Sequence, residues 1–358
     1  MLMSLISPSG PVASPPKRVV PVTLLLVAMV VSAGIAVAAT AIYIELVPPS
    51  TSSGGPTVTV VDDLGRTVVV PLDPTRLVVL APSVMDIVYR MGLRDRVVGV
   101  GCDAAIPGGL ANEYSPNQSA LWNITPGLCI SDFPSLNVGE LLNRSPQLVL
   151  ATTITSAADV EEIAVTFHIP VVLLSPTSLQ GIVGDVQLVG GLFPTVSATT
   201  HQLIVTLDQQ LVSAANFDSN LSTNGVPLPT VLVTYYFDSG GYYTYGPDSY
   251  GESLIDTLGA VNVAGSAPLI YYELNGSAVL NDSPQIILYG TSWNDPWIVA
   301  NETPAQWASP SSGAPYWAQL NGSKIALDVT LLSEADPTLI LALPQLLHAV
   351  HPTLYPPP

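Results

Sequence analysis

The feature of this 358-residue chain that most constrains its fold is a phrase used twice. Leu142-Asn143-Arg144-Ser145-Pro146-Gln147-Leu148-Val149-Leu150 recurs as Leu280-Asn281-Asp282-Ser283-Pro284-Gln285-Ile286-Ile287-Leu288, 138 residues on, with one polar exchange and two aliphatic swaps. Each copy predicts a helix end, a proline stop and a short aliphatic strand. A continuous run such as Leu148 to Ala151 suits a strand buried on both faces, as in a parallel sheet covered by helices. Repetition of that unit predicts two α/β lobes of similar build, with a ligand cleft between them.

The N-terminus has a different character. Val19 to Val47 is apolar almost throughout, interrupted mainly by Pro21 and Glu45, and is long enough to cross a bilayer of about 30 Å. It predicts a single transmembrane helix. Lys17 and Arg18 precede it and no acidic residue occurs from Met1 to Ile44, so residues 1–18 are expected in the cytoplasm and everything after Val47 outside. Ala36-Val37-Ala38 and Ala39-Thr40-Ala41 resemble cleavage sites, which makes a removed signal peptide the alternative. Either version exports the rest of the chain.

Further features fit an extracytoplasmic location. Eight Asn-x-Ser/Thr sequons follow the apolar segment and none precedes it. With Asn281 and Asn301 set aside because proline follows the hydroxyl residue, the candidates for glycosylation are Asn117, Asn123, Asn143, Asn220, Asn275 and Asn321. The only cysteines, Cys102 and Cys129, can form a disulfide in an oxidising compartment or remain as two buried thiols. Setting aside Glu45, Lys17 and Arg18, the 27 acidic and nine basic residues leave 26 and seven, a formal net charge of −19 after the apolar segment. That balance excludes a nucleic-acid surface, which needs clustered lysine and arginine. It suits an acidic medium, where partly neutralised carboxylates repel one another less.

Residues 48–56 form a Pro-, Ser- and Gly-rich spacer. Thr57 to Val61 and Arg66 to Val70 predict a hairpin around Asp62-Asp63-Leu64-Gly65. Arg76 to Leu80 and Val97 to Val100 read as strands, with Ser83 capping a helix from Val84 to Met91 and Asp86 completing the cap. Gly99 to Ala104 matches a dinucleotide fingerprint on paper, but Pro107-Gly108-Gly109 stands where the helix would begin. Ser178 to Leu192 and Val196 to Ala215 are the longest helical patterns, followed by a polar turn from Asp218 to Gly225.

Three stretches carry a family resemblance. They are Val60 with Asp62-Asp63-Leu64-Gly65-Arg66, Arg76-Leu77-Val78-Val79-Leu80-Ala81-Pro82-Ser83 and Gly92-Leu93-Arg94-Asp95-Arg96-Val97-Val98-Gly99-Val100. With Asn137 to Ala151, Leu258-Gly259-Ala260-Val261-Asn262 and Asp336-Pro337 to His351-Pro352 in the same order, the chain resembles the class III periplasmic binding proteins of ABC importers for cobalamin, ferric siderophores or haem. The resemblance implies an α/β fold of two lobes joined by one long bridging helix, with an N-terminal lobe at 57–177, a bridging segment at 178–218 and a C-terminal lobe at 219–358. It implies a permease partner that docks onto one acidic residue of each lobe. Asp256 falls on the C-lobe position, while the N-lobe position falls on Gly139 with Glu140 beside it. Thr338 stands where the family often has arginine.

Flat conjugated ligands suit aromatic cleft walls. The candidate ligand-binding residues are therefore Tyr235, Tyr236, Phe237, Tyr242, Tyr243 and Tyr245 at a strand end and just beyond, Asp103, Asp132 and Phe133 in the N-lobe loops, and Trp293 and Trp297 after the second repeat; alternate tyrosines can instead be core. His348 and His351 read as helix-end packing, and His168 and His201 are isolated. No His, Cys and carboxylate cluster suggests a metal site, and no Gly-x-Ser-x-Gly elbow suggests catalysis. The expectation is a monomeric, membrane-tethered receptor without cofactor that hands a metal chelate (siderophore, corrinoid or haem) to a permease. The alternative is an adhesion or sensory ectodomain on the same fold.

Overall fold

Both copies of the repeated phrase form the same local structure. In a computed structural model that describes residues 55–103, 122–133, 135–237, 241–291, 316 and 319–358, the first copy closes a helix at Val138–Asn143 and enters a strand at Leu148–Ala151. The second closes a helix at Gly276–Asp282 and enters a strand at Ile286–Thr291. Each turns through a serine held in the left-handed region, Ser145 at φ 47° and Ser283 at φ 48°, before a buried proline. The glutamine that follows does the same work twice. Gln147 Oε1 accepts the Thr75 amide at 2.7 Å and Gln285 Oε1 accepts the Thr230 amide at 2.9 Å, so each copy caps the start of the neighbouring parallel strand.

The N-terminal lobe starts with an antiparallel hairpin of β1 (Thr57–Val61) and β2 (Thr67–Pro71). Asp62 closes its turn by accepting the amides of Leu64 and Arg66 at 3.2 and 3.0 Å, and ties it to the lobe through the Leu173 amide at 3.2 Å. Strands β3 (Leu77–Val79), β4 (Val97–Asp103), β5 (Cys129–Phe133), β6 (Leu148–Ala151) and β7 (Val171–Leu173) form an all-parallel sheet in the order β5-β4-β3-β6-β7. Helices α1 (Pro82–Arg90), α2 (Val138–Asn143) and α3 (Ala157–Glu161) make the crossovers. Because helices cover both faces, β3 and β6 are buried at every residue. Cys102 of β4 and Cys129 of β5 are joined by a disulfide, with Cα atoms 5.5 Å apart. The loop it closes is worth about 3.5 kcal/mol by chain entropy.

Helices α4 (Leu179–Leu192) and α5 (Ser197–Thr223) lead to the second lobe. There β8 (Thr230–Phe237), β9 (Gly241–Tyr245), β10 (Val261–Asn262), β11 (Tyr271–Asn275), β12 (Ile286–Thr291) and β13 (Ser323–Asp328) form a mixed sheet in the order β11-β9-β8-β12-β13, with β10 beside the start of β8. The parallel core β8-β12-β13 matches β3-β6-β7 of the first lobe, as the repeat requires. Helices α6 (Tyr250–Thr257), α7 (Gly276–Asp282), α8 (Val329–Ser333), α9 (Pro337–Leu341) and α10 (Leu343–Val350) complete it.

Several expectations need correction. The bridging helix runs to Thr223, through the segment read as a polar turn. Its weak helix formers are carried by packing, since Thr200, Leu207, Ala214 and Leu221, spaced seven apart, form a buried stripe along its length. The stretch from Asp336 to Pro352 holds two helices, α9 and α10, with Pro344 in the first turn of the second. Helix α1 starts at Pro82, with no side-chain cap from Ser83; a proline in the first turn is preorganised for that role. One hydrophobic cluster spans both lobes, from Val79 and Val84 through Leu188 and Leu207 to Val233, Ile255 and Leu339. His351 Nε2 donates to the Leu258 carbonyl at 2.8 Å and its ring meets Phe217 of α5 edge-on, which fastens the chain end to the bridge. Among the described residues no single helix is long and apolar enough to cross a membrane, and the predicted anchor at Val19 to Val47 lies outside them.

Candidate functional site

The parallel strands of both lobes run out toward one junction. After β3 the chain turns directly into α1, and after β13 it passes through α8 to Glu334. There the Ser83 amide, in the first turn of α1, donates to Glu334 Oε2 at 3.1 Å. The N-terminus of a helix carries partial positive charge and free amides, so it attracts a carboxylate from the opposite lobe. Glu334 keeps solvent-accessible surface although protein surrounds it, as the floor of a cleft does. Burial pushes its carboxyl up to about 7, against the opposing effect of the Ser83 hydrogen bond.

Beneath it, Asp86 of α1 accepts Arg90 Nε at 2.7 Å, the Thr338 amide at 3.2 Å and Thr338 Oγ1 at 3.0 Å. Arg90 Nη2 also donates to Thr338 Oγ1 at 2.8 Å. Asp336 caps α9 through the Leu339 amide at 3.0 Å. Asp86 and Asp336 are each 2% exposed. Burial raises both carboxyls, that of Asp336 further because Asp86 and Glu334 add negative charge, and Arg90 only partly offsets the shift at Asp86. Asp86 therefore joins the two lobes and does not complete a helix cap.

Tyrosines make up the C-lobe side. Tyr245 is 1% exposed and contacts the rings of Tyr235 at 5.0 Å, Tyr250 at 4.9 Å and Tyr271 at 5.9 Å between centroids. Its hydroxyl lies 2.6 Å from that of Tyr250 and donates to the Leu332 carbonyl. Tyr245 thus anchors the backbone two residues before Glu334. Tyr235 and Tyr243 are half-buried and Tyr271 is exposed. Tyr235 is the extra residue of a bulge in β8, because Thr234 pairs with Thr244 while Tyr236 pairs with Tyr243. Bulges re-aim side chains at sites. Burial, with Tyr271 and Tyr243 nearby, pushes the Tyr235 phenol up to about 12, so it stays a neutral donor.

The predicted residues divide accordingly. Tyr242 is fully buried on the opposite face of the sheet with Leu232 and Ile287, so it and Tyr245 are core residues that offer a ligand no surface. The period-2 alternation of β9 separates Tyr242 from Tyr243 and Tyr245. Asp132, half-buried on β5, packs its carboxylate over Gly101, where any Cβ would lie 1.9 Å from Oδ2. Asp103, Phe133, Tyr236 and Phe237 end strands β4, β5 and β8, but their side chains lie outside the described set, as do Trp293 and Trp297 altogether. Glu140 is exposed but accepts the Ser131 amide at 3.1 Å, and Asp256 is exposed, its carboxyl raised by partial burial and by Asp218. Glu334 and Tyr271 are site residues that no motif in the sequence announced. A readable sign, short of a motif, was Glu334-Ala335-Asp336-Pro337, an acidic pair before a helix-starting proline in an otherwise apolar stretch.

Comparison with known proteins agrees with this architecture. A family model described as periplasmic binding protein matches residues 77–304. A cobalamin-binding protein of Halobacterium salinarum is 24% identical over 291 residues, covering 78% of this chain and 70% of the relative. A molybdate-bound periplasmic binding protein of Haemophilus influenzae superposes with a TM-score of 0.64 at 19% identity, covering 83% of this chain and 92% of that one. A periplasmic heme binding protein of Pseudomonas aeruginosa gives 0.62 at 20%, with coverages of 78% and 94%. Two lobes, a bridging helix and a junction at the strand ends, together with a family match over most of the folded region, place this chain in the periplasmic binding protein family.

Proposed function

We propose that this protein is the extracytoplasmic receptor of an ABC importer, which captures a metal chelate between its lobes and delivers it to a permease. The observation that carries the reading is the junction itself. The strand ends of two similar lobes converge on Ser83 and Glu334, with the accessible tyrosines Tyr235, Tyr243 and Tyr271 on one side. Such aromatic faces desolvate a corrinoid or siderophore without chemistry on it. The long bridge, packed along its buried stripe, favours small closure motions. In this reading Val19 to Val47 tethers the protein and Glu140 and Asp256 meet the permease. Pro126 and Pro146 follow the sequons of Asn123 and Asn143 just as proline follows those of Asn281 and Asn301, which leaves Asn117, Asn220, Asn275 and Asn321 as the glycosylation sites.

The test is thermal unfolding of the full-length chain in detergent with cobalamin, haem, several ferric siderophores, molybdate and tungstate. A ligand at 100 times its Kd adds about 2.7 kcal/mol, a readable shift. No shift across the panel would sink the receptor reading and favour a sensory or adhesive ectodomain.

A further inference from the structure

Apart from Lys17 and Arg18, the chain has seven lysine and arginine side chains, and all seven lie among the described residues. Each is engaged within the fold. Arg66, Arg90 and Arg96 pair with Asp62, Asp86 and Asp73. Arg76, Arg94, Arg144 and Lys324 donate to backbone carbonyls. Five of them, Arg76, Arg94, Arg96, Arg144 and Lys324, stand at or just before the starts of strands β3, β4, β6 and β13, the opposite ends from the Ser83 and Glu334 junction. Beyond Gly55, the segments outside the described residues carry Glu113, Asp238, Asp295 and Glu302 and no lysine or arginine.

Among the described residues, the helix N-termini at this end of the strands, the other common anion holders, are also taken. The first-turn amide of α1 is held by Glu334. At the same ends of the strands, α2 is capped by Asn137, α3 by Ser156, α8 by Asp328 and α9 by Asp336. The charge left at the junction is acidic, within a region of formal net charge −19, the 26 acidic less the seven basic residues counted after Val47.

We propose that the cleft accepts only chelates without net negative charge, neutral or cationic, and rejects anionic ones. This rests on the receptor reading above and narrows it. An anionic ligand would give up its hydration and counterions for a site without a compensating cation.

The test is the affinity of the full-length chain in detergent, at pH 7 and low salt, for cyanocobalamin, ferrichrome and ferrioxamine B against haem, ferric enterobactin and molybdate. The expected result is a Kd at least tenfold lower for the best neutral or cationic ligand than for any anionic one, with the gap narrowing in 0.5 M salt as charge is screened. An anionic ligand that binds as tightly overturns the charge rule while leaving the receptor reading intact. A gap unmoved by salt also overturns it, because shape would then be selecting. Failure of every ligand to bind overturns the receptor reading and this inference with it.

Discussion

Ser83 and Glu334 lie 251 residues apart in sequence, and a 3.1 Å hydrogen bond from the amide of the first to the carboxylate of the second joins the two lobes at the base of the cleft. The bond places a titratable group on the floor of the cleft. Its protonation state therefore bears on both stability and ligand choice.

The Glu334 carboxyl, pushed up to about 7 by burial, lies above the value of about 4.3 expected unfolded. A raised acid binds its proton more tightly in the fold, so its stabilising contribution is fully present below about pH 4 and fades as pH rises through about 7. Glu334→Gln keeps an acceptor for Ser83 and should flatten the fall in Tm between pH 5 and 8, with a gain of about 1–3 kcal/mol at pH 8. An unchanged pH profile in that variant would count against the assignment.

Asp185 of α4, 2% exposed, shares a hydrogen bond with Asp63 of the hairpin turn. Burial raises both carboxyls, with the Asp63 charge raising Asp185 further. The same sign applies, so the pair stabilises at low pH and costs stability once both ionise. Asp185→Asn should raise Tm at pH 7 and leave it nearly unchanged at pH 4. The wild-type protein should show its stability maximum on the acidic side, as its charge balance leads one to expect; a maximum at neutral pH would contradict both statements.

Among the described residues Arg90 is the one cation beside Asp86, and its guanidinium also holds Thr338 of the other lobe. Removing it leaves a buried carboxylate without its counter-ion. Arg90→Ala should cost about 2–4 kcal/mol at pH 7, and less at pH 4 where Asp86 can protonate. Denaturant titration at the two pH values measures the difference, and equal losses would show that the guanidinium acts through packing alone.

The tyrosines separate by role. Tyr245→Phe loses the bond to the Leu332 carbonyl and should lower stability by about 1–2 kcal/mol. Tyr271→Ala removes an exposed ring and should weaken chelate binding about tenfold with little change in Tm. A large Tm loss in Tyr271→Ala, or none in Tyr245→Phe, would reverse these assignments.

Local physics was enough for much of this architecture. The repeated phrase carries its helix end, its serine turn, its proline stop and its strand within nine consecutive residues, and the Asp62 turn closes within five. Aliphatic runs too continuous to alternate announced a parallel sheet, and two such runs announced two lobes. These features depend on neighbours a few residues apart, so the chain order displays them directly. What tertiary structure decided came from contacts the order does not display. The bulge at Tyr235 changes how β8 pairs with β9, and the alternation of β9 sends Tyr242 into the core on the other face. The bridging helix extends to Thr223 because a stripe of residues seven apart is buried along it, against weak local propensity. The carboxylates of Asp86, Glu334 and Asp336 become one site only when stretches of chain some 250 residues apart, one in each lobe, pack together. Burial there sets their charge, because desolvation is a property of the surroundings and not of the residue.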